Sequence, residues 1–295
     1  HRYFYILTPQ GISLKTKLTL NFMQQKMIWF LRILIVIQSL GYAAQLAAPS
    51  ALNSYLLGPM GGAFVSELDY AVWFSLLLAS GALLVLGFLR PAVSSLLGKV
   101  DCACLGLLAL WPFVLAIFSW LNHAGDPFHA TDPIGHAVRF ATPLALVMLS
   151  NNPSQAWHVR VDWLLRLSVA GVFIGHGLCA WWLKPSFIDL IVGTWDTILG
   201  QDLTASASRQ AFAEAALPVI ALQDFILVGL LLLPHRKFRT VAMWMAIWGL
   251  VTAMSRMTAY GWGNWHDFAL RVCNGGIPLF LWYSWKQPTT DPTNS

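Results

Sequence analysis

The sequence predicts an all-α integral membrane protein, with about eight transmembrane helices arranged as two parallel four-helix repeats. Of its 295 residues, 57% are hydrophobic and 11% are charged, and the mean hydropathy is +0.61. Soluble proteins are about one-quarter charged, so the charges in this chain are too few to cover a surface exposed to water. Two further observations support the prediction: apolar segments recur at membrane-spanning length, and the two halves of the chain resemble each other.

Eight apolar segments follow one another along the chain, and a helix needs about 20 residues to cross about 30 Å of hydrocarbon. The segments cover residues 28–48, 70–89, 101–121, 137–150, 163–183, 215–234, 240–258 and 268–285. The fourth segment is short for a span, so it needs flanking residues or a locally thinner bilayer. We expect a membrane-surface segment at 1–27, a first four-helix unit at 28–150, a cytoplasmic linker at 151–162, a second unit at 163–286 and a polar tail at 287–295.

Lysine and arginine gather on one side of the predicted bundle and orient it. Short cytoplasmic loops are enriched in these residues, and the loops around Arg90, Lys99, Arg160 and Arg236 carry them here. The opposite loops carry most of the carboxylates. The sequence therefore predicts a multi-pass protein with both termini in the cytoplasm, and we expect it in a bacterial inner membrane.

The two halves of the chain share several landmarks. The first segment opens with WFLRIL at 29–34 and the fifth opens with WLLRLS at 163–168, and Gly41 falls opposite Gly175. The fourth and eighth segments each begin with histidine and arginine and then reach a proline: His136, Arg139 and Pro143, against His266, Arg271 and Pro278. A repeat of four helices makes an even number of crossings, so both copies enter from the same side and are parallel.

The second half resembles a known family. The stretch LLRLSVAGVFIGHG at 164–177, an outer connection containing proline and an arginine-led last helix look like the DoxX-like family of small membrane proteins. Residues 160–286 carry the resemblance best, and the first half is a weaker copy. The resemblance implies a four-helix bundle per unit and, for some members, association with quinone-linked or thiol redox systems. Two fused units in one chain depart from the usual single unit.

Asp224 lies near the middle of the sixth segment, where an ionisable group is costly and should face the bundle interior with a partner. His176 in the fifth segment, Arg256 and Arg271 are the candidate partners. Two interpretations are open: a proton-linked, quinone-facing or substrate-binding carboxylate, or a structural contact between two helices. His176 also suits proton exchange, because the pKa of histidine is near neutral, although a buried histidine is commonly a packed core residue.

Arginines recur near the predicted membrane boundaries. Arg32 and Arg166 lie near the starts of helices that begin on the predicted inner side of the membrane. Arg139 and Arg271 lie near the starts of helices that begin on the predicted outer side. Such side chains can extend to lipid phosphates. Alternatively, Arg139 and Arg271 line an outer vestibule with His136, His266 and Asp267 that binds an anionic or quinone head group.

The outer loop before the fourth segment holds three histidines that form a weak metal candidate: His123, His129 and His136. Imidazole together with Asp126 and Asp132 suits transition metals. The spacing matches no metal signature, and two Asp-Pro steps favour a turn-rich loop. We therefore predict no metal. Residues 186–213 are expected to form an interfacial or re-entrant helix followed by a polar stretch, which could cover the second bundle.

Three functional hypotheses follow. The first is an integral subunit of a larger redox membrane complex that faces quinone, with quinone as the candidate cofactor. The second is a protein that carries or binds a lipid or a small hydrophobic molecule, and the third is a purely structural subunit. The sequence contains no Rossmann fingerprint, P-loop, HExxH motif or nucleophile elbow, so an accessory role is favoured over an independent enzyme. The expected partners are membrane lipids and other membrane-protein subunits, and the net charge of +5 does not indicate nucleic acid.

Overall fold

The computed structural model describes residues 14–46, 49–60, 62–89, 95–151, 155–200, 206–233 and 238–286, and these ranges contain helices and no β-strand. The helices are α1 (Leu14–Gln45), α2 (Ala51–Met60), α3 (Gly62–Leu89), α4 (Leu96–Asn122), α5 (Pro127–Ala130), α6 (Asp132–Gly135), α7 (Ala137–Asn151), α8 (Gln155–Trp181), α9 (Pro185–Leu199), α10 (Ser206–Leu231), α11 (Arg239–Tyr260), α12 (Trp265–Ala269) and α13 (Val272–Ser284). A short 3₁₀ turn, Trp262–Asn264, precedes α12.

Five of these helices are long and apolar enough to cross a membrane. The crossing segments are Gln25–Gln45, Ser66–Leu89, Leu96–Asn122, Val159–Trp181 and Ser206–Leu231, and the apolar part of α7, Ala137–Ser150, is shorter. By length and composition, the chain is a multi-pass helical membrane protein. Helices α11 and α13 cover the seventh and eighth predicted segments but are not among the five, so the count of eight spans stays a prediction.

Some helix ends differ from the predicted organisation. Helix α1 begins at Leu14, so residues 14–27 continue directly into the first apolar segment. Helix α8 begins at Gln155, inside the predicted cytoplasmic linker. The predicted eighth segment is divided, because α12 ends at Ala269 and α13 begins at Val272. The predicted polar tail at 287–295 lies outside the described residues.

Helices α1, α7, α8 and α13 pack together at the centre of the bundle, with α3 and α4 on one side and α9, α10 and α11 on the other. Their facing side chains form one continuous apolar core, in which the following residues are fully buried: Leu31, Ile35, Leu146, Leu165 and Ile277. Because α1 and α13 come from opposite ends of the chain, residues distant in sequence close the core.

The two arginines predicted near the inner membrane boundary, Arg32 and Arg166, are buried between helices. Arg32 of α1 donates two hydrogen bonds to Asp101 of α4, at 2.8 and 2.6 Å, and another to the Leu83 carbonyl of α3. Arg166 of α8 donates to the carbonyl of Leu231, at the end of α10. Both arginines are buried. They therefore join helices to one another and do not reach lipid phosphates.

Two glycines allow helices of opposite halves to approach closely. A Cβ added at Gly41 of α1 would lie 2.5 Å from the Leu270 amide nitrogen and 2.9 Å from the His266 carbonyl oxygen. A Cβ added at Gly175 of α8 would lie 2.9 Å from Cα of Gly135. Only glycine leaves room for a neighbouring backbone at these distances. These contacts hold α1 against α12 and α8 against α6.

Candidate ligand site

An apolar cavity of about 260 Å³ lies between helices α8, α9, α10 and α11. Most of its wall is hydrocarbon from these residues: Val172, Phe173, Ala180, Leu190, Ile191, Leu217, Ile220 and Val251. Its polar side chains include His176, Asp224, Trp248, Thr252 and Arg256. A predominantly apolar space with a few converging polar groups is typical of a small-molecule site.

Asp224 projects from α10 into this cavity and is only 3% exposed. Its polar neighbour is the indole of Trp248 on α11. Within the described part of the chain, Oδ1 accepts no hydrogen bond. The three partners expected from the sequence, His176, Arg256 and Arg271, form no ion pair with it there. The carboxyl thus faces an interior space, as predicted, with an oxygen available to a ligand.

Helix α9, Pro185–Leu199, forms one wall of this cavity. It packs on α10 and α11. Thr194 bonds to the Thr258 hydroxyl at 2.8 Å, and Thr197 donates to the Thr258 carbonyl. The amphipathic segment predicted at 186–213 therefore begins as a helix over the second half, and it supplies the wall residues Leu190 and Ile191.

A second, polar chamber of about 220 Å³ adjoins the first cavity. We call it the polar chamber. Its charged and titratable wall residues are Asp132, His136, Arg139, His176, Cys179, Lys184, Arg256 and Arg271. His176, Phe187 and Arg256 line both spaces, and the Phe187 ring meets the His176 ring edge to face, 6.0 Å between centroids. The two cavities therefore meet at these three side chains.

The polar chamber carries more positive than negative charge. Arg271 is neutralised by Asp267, at 2.8 Å. Arg139, 3% exposed, donates to the Tyr42 hydroxyl at 3.2 Å, and its Nε has no hydrogen-bond partner among the described residues. Arg256, 8% exposed, donates to the Thr252 carbonyl. Neither Arg139 nor Arg256 makes an ion pair with a described carboxylate.

The one carboxylate in the wall of the polar chamber is already engaged. Asp132 accepts a hydrogen bond from the Ser119 hydroxyl at 2.6 Å and lies 3.0 Å from Nδ1 of His129. Burial is the main cause that lowers the pKa of His136 well below its usual range, and the positive charges of Arg139 and Arg271 add to it. His136 is therefore neutral near pH 7, and its buried Nδ1 has no partner among the described residues.

The described structure brings together most of the predicted site. Arg139, Arg271, His136 and His176 share the polar chamber, whereas Asp224 lines the apolar cavity beyond His176. Asp267 belongs to the site through its ion pair with Arg271. His266 lines neither cavity; its carbonyl faces Gly41.

Lys184 is the wall residue that sequence reasoning missed. It follows Leu183, whose φ of 57° is uncommon for a residue with a Cβ. The Lys184 amide donates to the Cys179 carbonyl at 2.9 Å, and Pro185 begins α9 directly afterwards. This turn, which the Lys-Pro step hints at, places the lysine beside the polar chamber.

The outer-loop histidines do not form a metal site in the part of the chain that the structure describes. The rings of His123 and His129 stack at 3.9 Å, and His129 lies beside Asp132. His136 instead faces the polar chamber. No group of three or more histidine, cysteine or carboxylate side chains among the described residues is arranged to hold a metal ion.

Comparisons with protein-family models, with curated proteins and with solved structures found no match. The resemblance of residues 160–286 to the DoxX-like family stays a prediction from their sequence. What the geometry offers is a pair of adjoining spaces, one apolar with a buried carboxyl and one polar with excess positive charge.

Proposed function

We propose that this protein binds a hydrophobic molecule of the membrane, a lipid or a quinone-like ring, in the apolar cavity between α8 and α11. The observation that carries the proposal is the cavity itself, with the His176 ring on a hydrocarbon wall and an Asp224 oxygen that has no hydrogen-bond partner among the described residues. Its volume of about 260 Å³ is close to the lower range of small-molecule sites. A larger ligand extends into the adjoining chamber.

The exposure of one wall residue supports this proposal. Val251 of α11 lines the cavity and is also 52% exposed, so the cavity is not fully enclosed at this residue. Helix α10 packs mainly on α8, whereas α11 packs mainly on α13 and α9. The thin seam between α10 and α11 gives a hydrophobic molecule a lateral route from the bilayer.

A quinone-facing subunit of a redox complex is the second candidate. Asp224 and Trp248 lie side by side on the wall of the apolar cavity, and a carboxyl beside an aromatic plane suits a flat ring with exchangeable protons. The family resemblance favours the same ligand. In this case, other membrane-protein subunits supply or remove the electrons.

We also propose that the chain is a parallel repeat with eight crossings. Helices α1, α3, α4 and α7 pack on one another in the same order as α8, α10, α11 and α13. An offset of 135 residues relates Pro143 to Pro278. The same offset relates Gly135, whose backbone meets Gly175, to Leu270, whose backbone meets Gly41.

This correspondence bears on Asp224. Arg32 donates to the Leu83 carbonyl and Arg166 to the Leu231 carbonyl. Asp224 lies seven residues before Leu231, and Leu76 of α3 lies seven residues before Leu83. Leu76 is therefore the position of the first half that corresponds to Asp224, and it is fully buried. The first half fills this position with hydrocarbon, so the packing of a unit does not require a carboxyl there. The comparison supports a ligand-related role for Asp224.

The test is to find what occupies the cavity. The protein is purified in mild detergent, its bound small molecules are extracted, and mass spectrometry quantifies quinones and lipids. We expect a stoichiometric hydrophobic molecule in the native protein and its loss in Val251→Trp, which fills the lateral opening. The matched control is Val219→Trp on α10, because Val219 is also exposed, at 68%, and does not line the cavity.

Two outcomes would overturn the proposal. One is a native protein without any stoichiometric hydrophobic molecule that also binds neither a short-chain ubiquinone nor phospholipid when these are added. The other is a Val251→Trp variant that retains as much ligand as Val219→Trp. Recovery of quinone together with co-purifying redox subunits selects the second candidate, whereas quinone on the chain alone supports the first.

A further inference from the structure

We propose that the polar chamber binds an anionic head group, a phosphate or a carboxylate, so that the ligand is an acidic amphiphile with its apolar part in the neighbouring cavity. This inference rests on the proposed function and names the class of molecule that the site takes. It follows from the charges in the polar chamber and from the way in which the two spaces meet.

The charges of the polar chamber do not balance. Three arginines, Arg139, Arg256 and Arg271, and one lysine line this one space. Asp267 forms an ion pair with Arg271. Asp132 accepts a hydrogen bond from Ser119 and contacts Nδ1 of His129. An anion is the missing partner, because a buried charge without a counter-charge is costly.

Arg139 shows where the anion would lie. Arg139 is 3% exposed, and its Nε has no hydrogen-bond partner among the described residues. Its side chain donates to the neutral hydroxyl of Tyr42. Arginine presents a planar set of donors that fits two oxygens of a phosphate or carboxylate. Lys184 and Arg256 add positive charge from other walls of the polar chamber.

The junction between the spaces sets the orientation of the ligand. Arg256 and His176 line both cavities. A ligand whose head group lies beside Arg256 in the polar chamber therefore places its hydrocarbon chain next to Phe187 and Leu190, in the apolar cavity. Free phosphate would satisfy the arginines but would leave the hydrocarbon-lined space without an occupant.

The experiment measures binding of defined probes to the full chain in detergent micelles. The probes are phosphatidic acid and oleate, which are acidic amphiphiles, phosphatidylcholine and a short-chain ubiquinone, which carry no net charge, and inorganic phosphate alone. We expect either acidic amphiphile to bind at least about tenfold more tightly than phosphatidylcholine, the short-chain ubiquinone or inorganic phosphate, since a charge-assisted contact contributes about this factor.

Variants then assign the charge to the polar chamber. We expect Arg139→Gln and Arg256→Gln each to weaken binding of the acidic amphiphile about tenfold or more, while Arg139→Lys keeps the preference for an acidic over a neutral head group. Lys184→Gln, in a turn outside the core, tests the same point if an arginine variant fails to fold. The matched control is Arg160→Gln, which removes one exposed positive charge at the start of α8.

Each remaining outcome has one meaning. Equal binding of acidic and neutral probes, unaffected by the variants but lost in Val251→Trp, overturns this inference and leaves the proposed function standing. Inorganic phosphate binding as tightly as phosphatidic acid overturns the assignment to an amphiphile. Failure of every probe overturns the inference together with the proposed function.

Discussion

His176 of α8 and Arg256 of α11 both lie on the wall shared by the apolar cavity and the polar chamber. The sequence separates them by 80 positions. Their meeting is what turns two modest spaces into one elongated site with an apolar end and a charged end. Predictions about function therefore concern this junction, and predictions about stability concern the contacts that hold the helices around it.

Replacing Asp224 with leucine should separate a ligand role from a packing role. We expect Asp224→Leu to retain or raise the midpoint of thermal unfolding, because the variant removes a buried carboxyl whose Oδ1 has no partner in the described part of the chain. It should change the amount or identity of the extracted ligand. The reverse change, Leu76→Asp, should destabilise by about 2 kcal/mol or more, since it buries a new polar group. Equal destabilisation by both changes would mean that Asp224 is a structural residue.

Removing one partner of the buried pair Arg32–Asp101 should lower the free energy of unfolding more than replacing both partners with leucine. We expect Arg32→Leu or Asp101→Leu alone to destabilise by about 3–5 kcal/mol, because each leaves one uncompensated charge among α1, α3 and α4. The double variant should recover much of that loss. Thermal unfolding of all four proteins gives the coupling energy directly, and additive losses would argue against a coupled pair.

Gly41→Ala should destabilise the bundle by about 1–3 kcal/mol, because the added Cβ meets backbone atoms of Leu270 and His266 that cannot move independently. Gly175→Ala should behave in the same way. The control is Gly106→Ala in α4, where a Cβ meets no atom within 4 Å; it should be neutral or stabilising by about 0.5–1 kcal/mol. A Gly41→Ala variant as stable as the control would contradict the close approach.

His136 should make the protein less stable at acid pH. Its pKa lies well below the usual value because of burial and of Arg139, Arg271, His176 and Lys184 around it. The unfolded chain takes up a proton on this group first, so stability is present above about pH 6.5 and is lost as the pH falls below it. We expect His136→Gln to reduce the fall of the unfolding midpoint between pH 7 and pH 5, and an unchanged pH profile would refute this role.

Most helix positions could be predicted from the sequence, because an apolar segment of membrane-spanning length satisfies its backbone hydrogen bonds in lipid by forming a helix. The fourth predicted segment, 137–150, differs from α7 by one residue. The eighth segment was predicted as one span, yet the chain turns between Ala269 and Val272. Hydropathy averages over such a turn, which here accompanies the local pair of Arg271 with Asp267.

The site was predictable as a set of residue types and not as a shape. Asp224, Arg139 and Arg271 stand out because ionisable groups at membrane depth are costly. The junction depends on α9 folding over α11 and on the left-handed backbone of Leu183. Neither follows from periodicity. Helix α9 packs on α11, which lies far along the chain, and Leu183 belongs to a local turn that hydropathy does not resolve.

The close approach of Gly41 to Leu270 has a consequence for biosynthesis. Helix α1 is synthesised before α12 and α13, which lie far later in the sequence. Until α12 emerges, the face of α1 that carries Gly41 has lipid or an insertion factor in place of this contact. Contacts of such long sequence separation slow folding, so the centre of the bundle closes only after α12 and α13 have been made. A chain interrupted after α11 is expected to remain open at its centre and to be a target for membrane proteases.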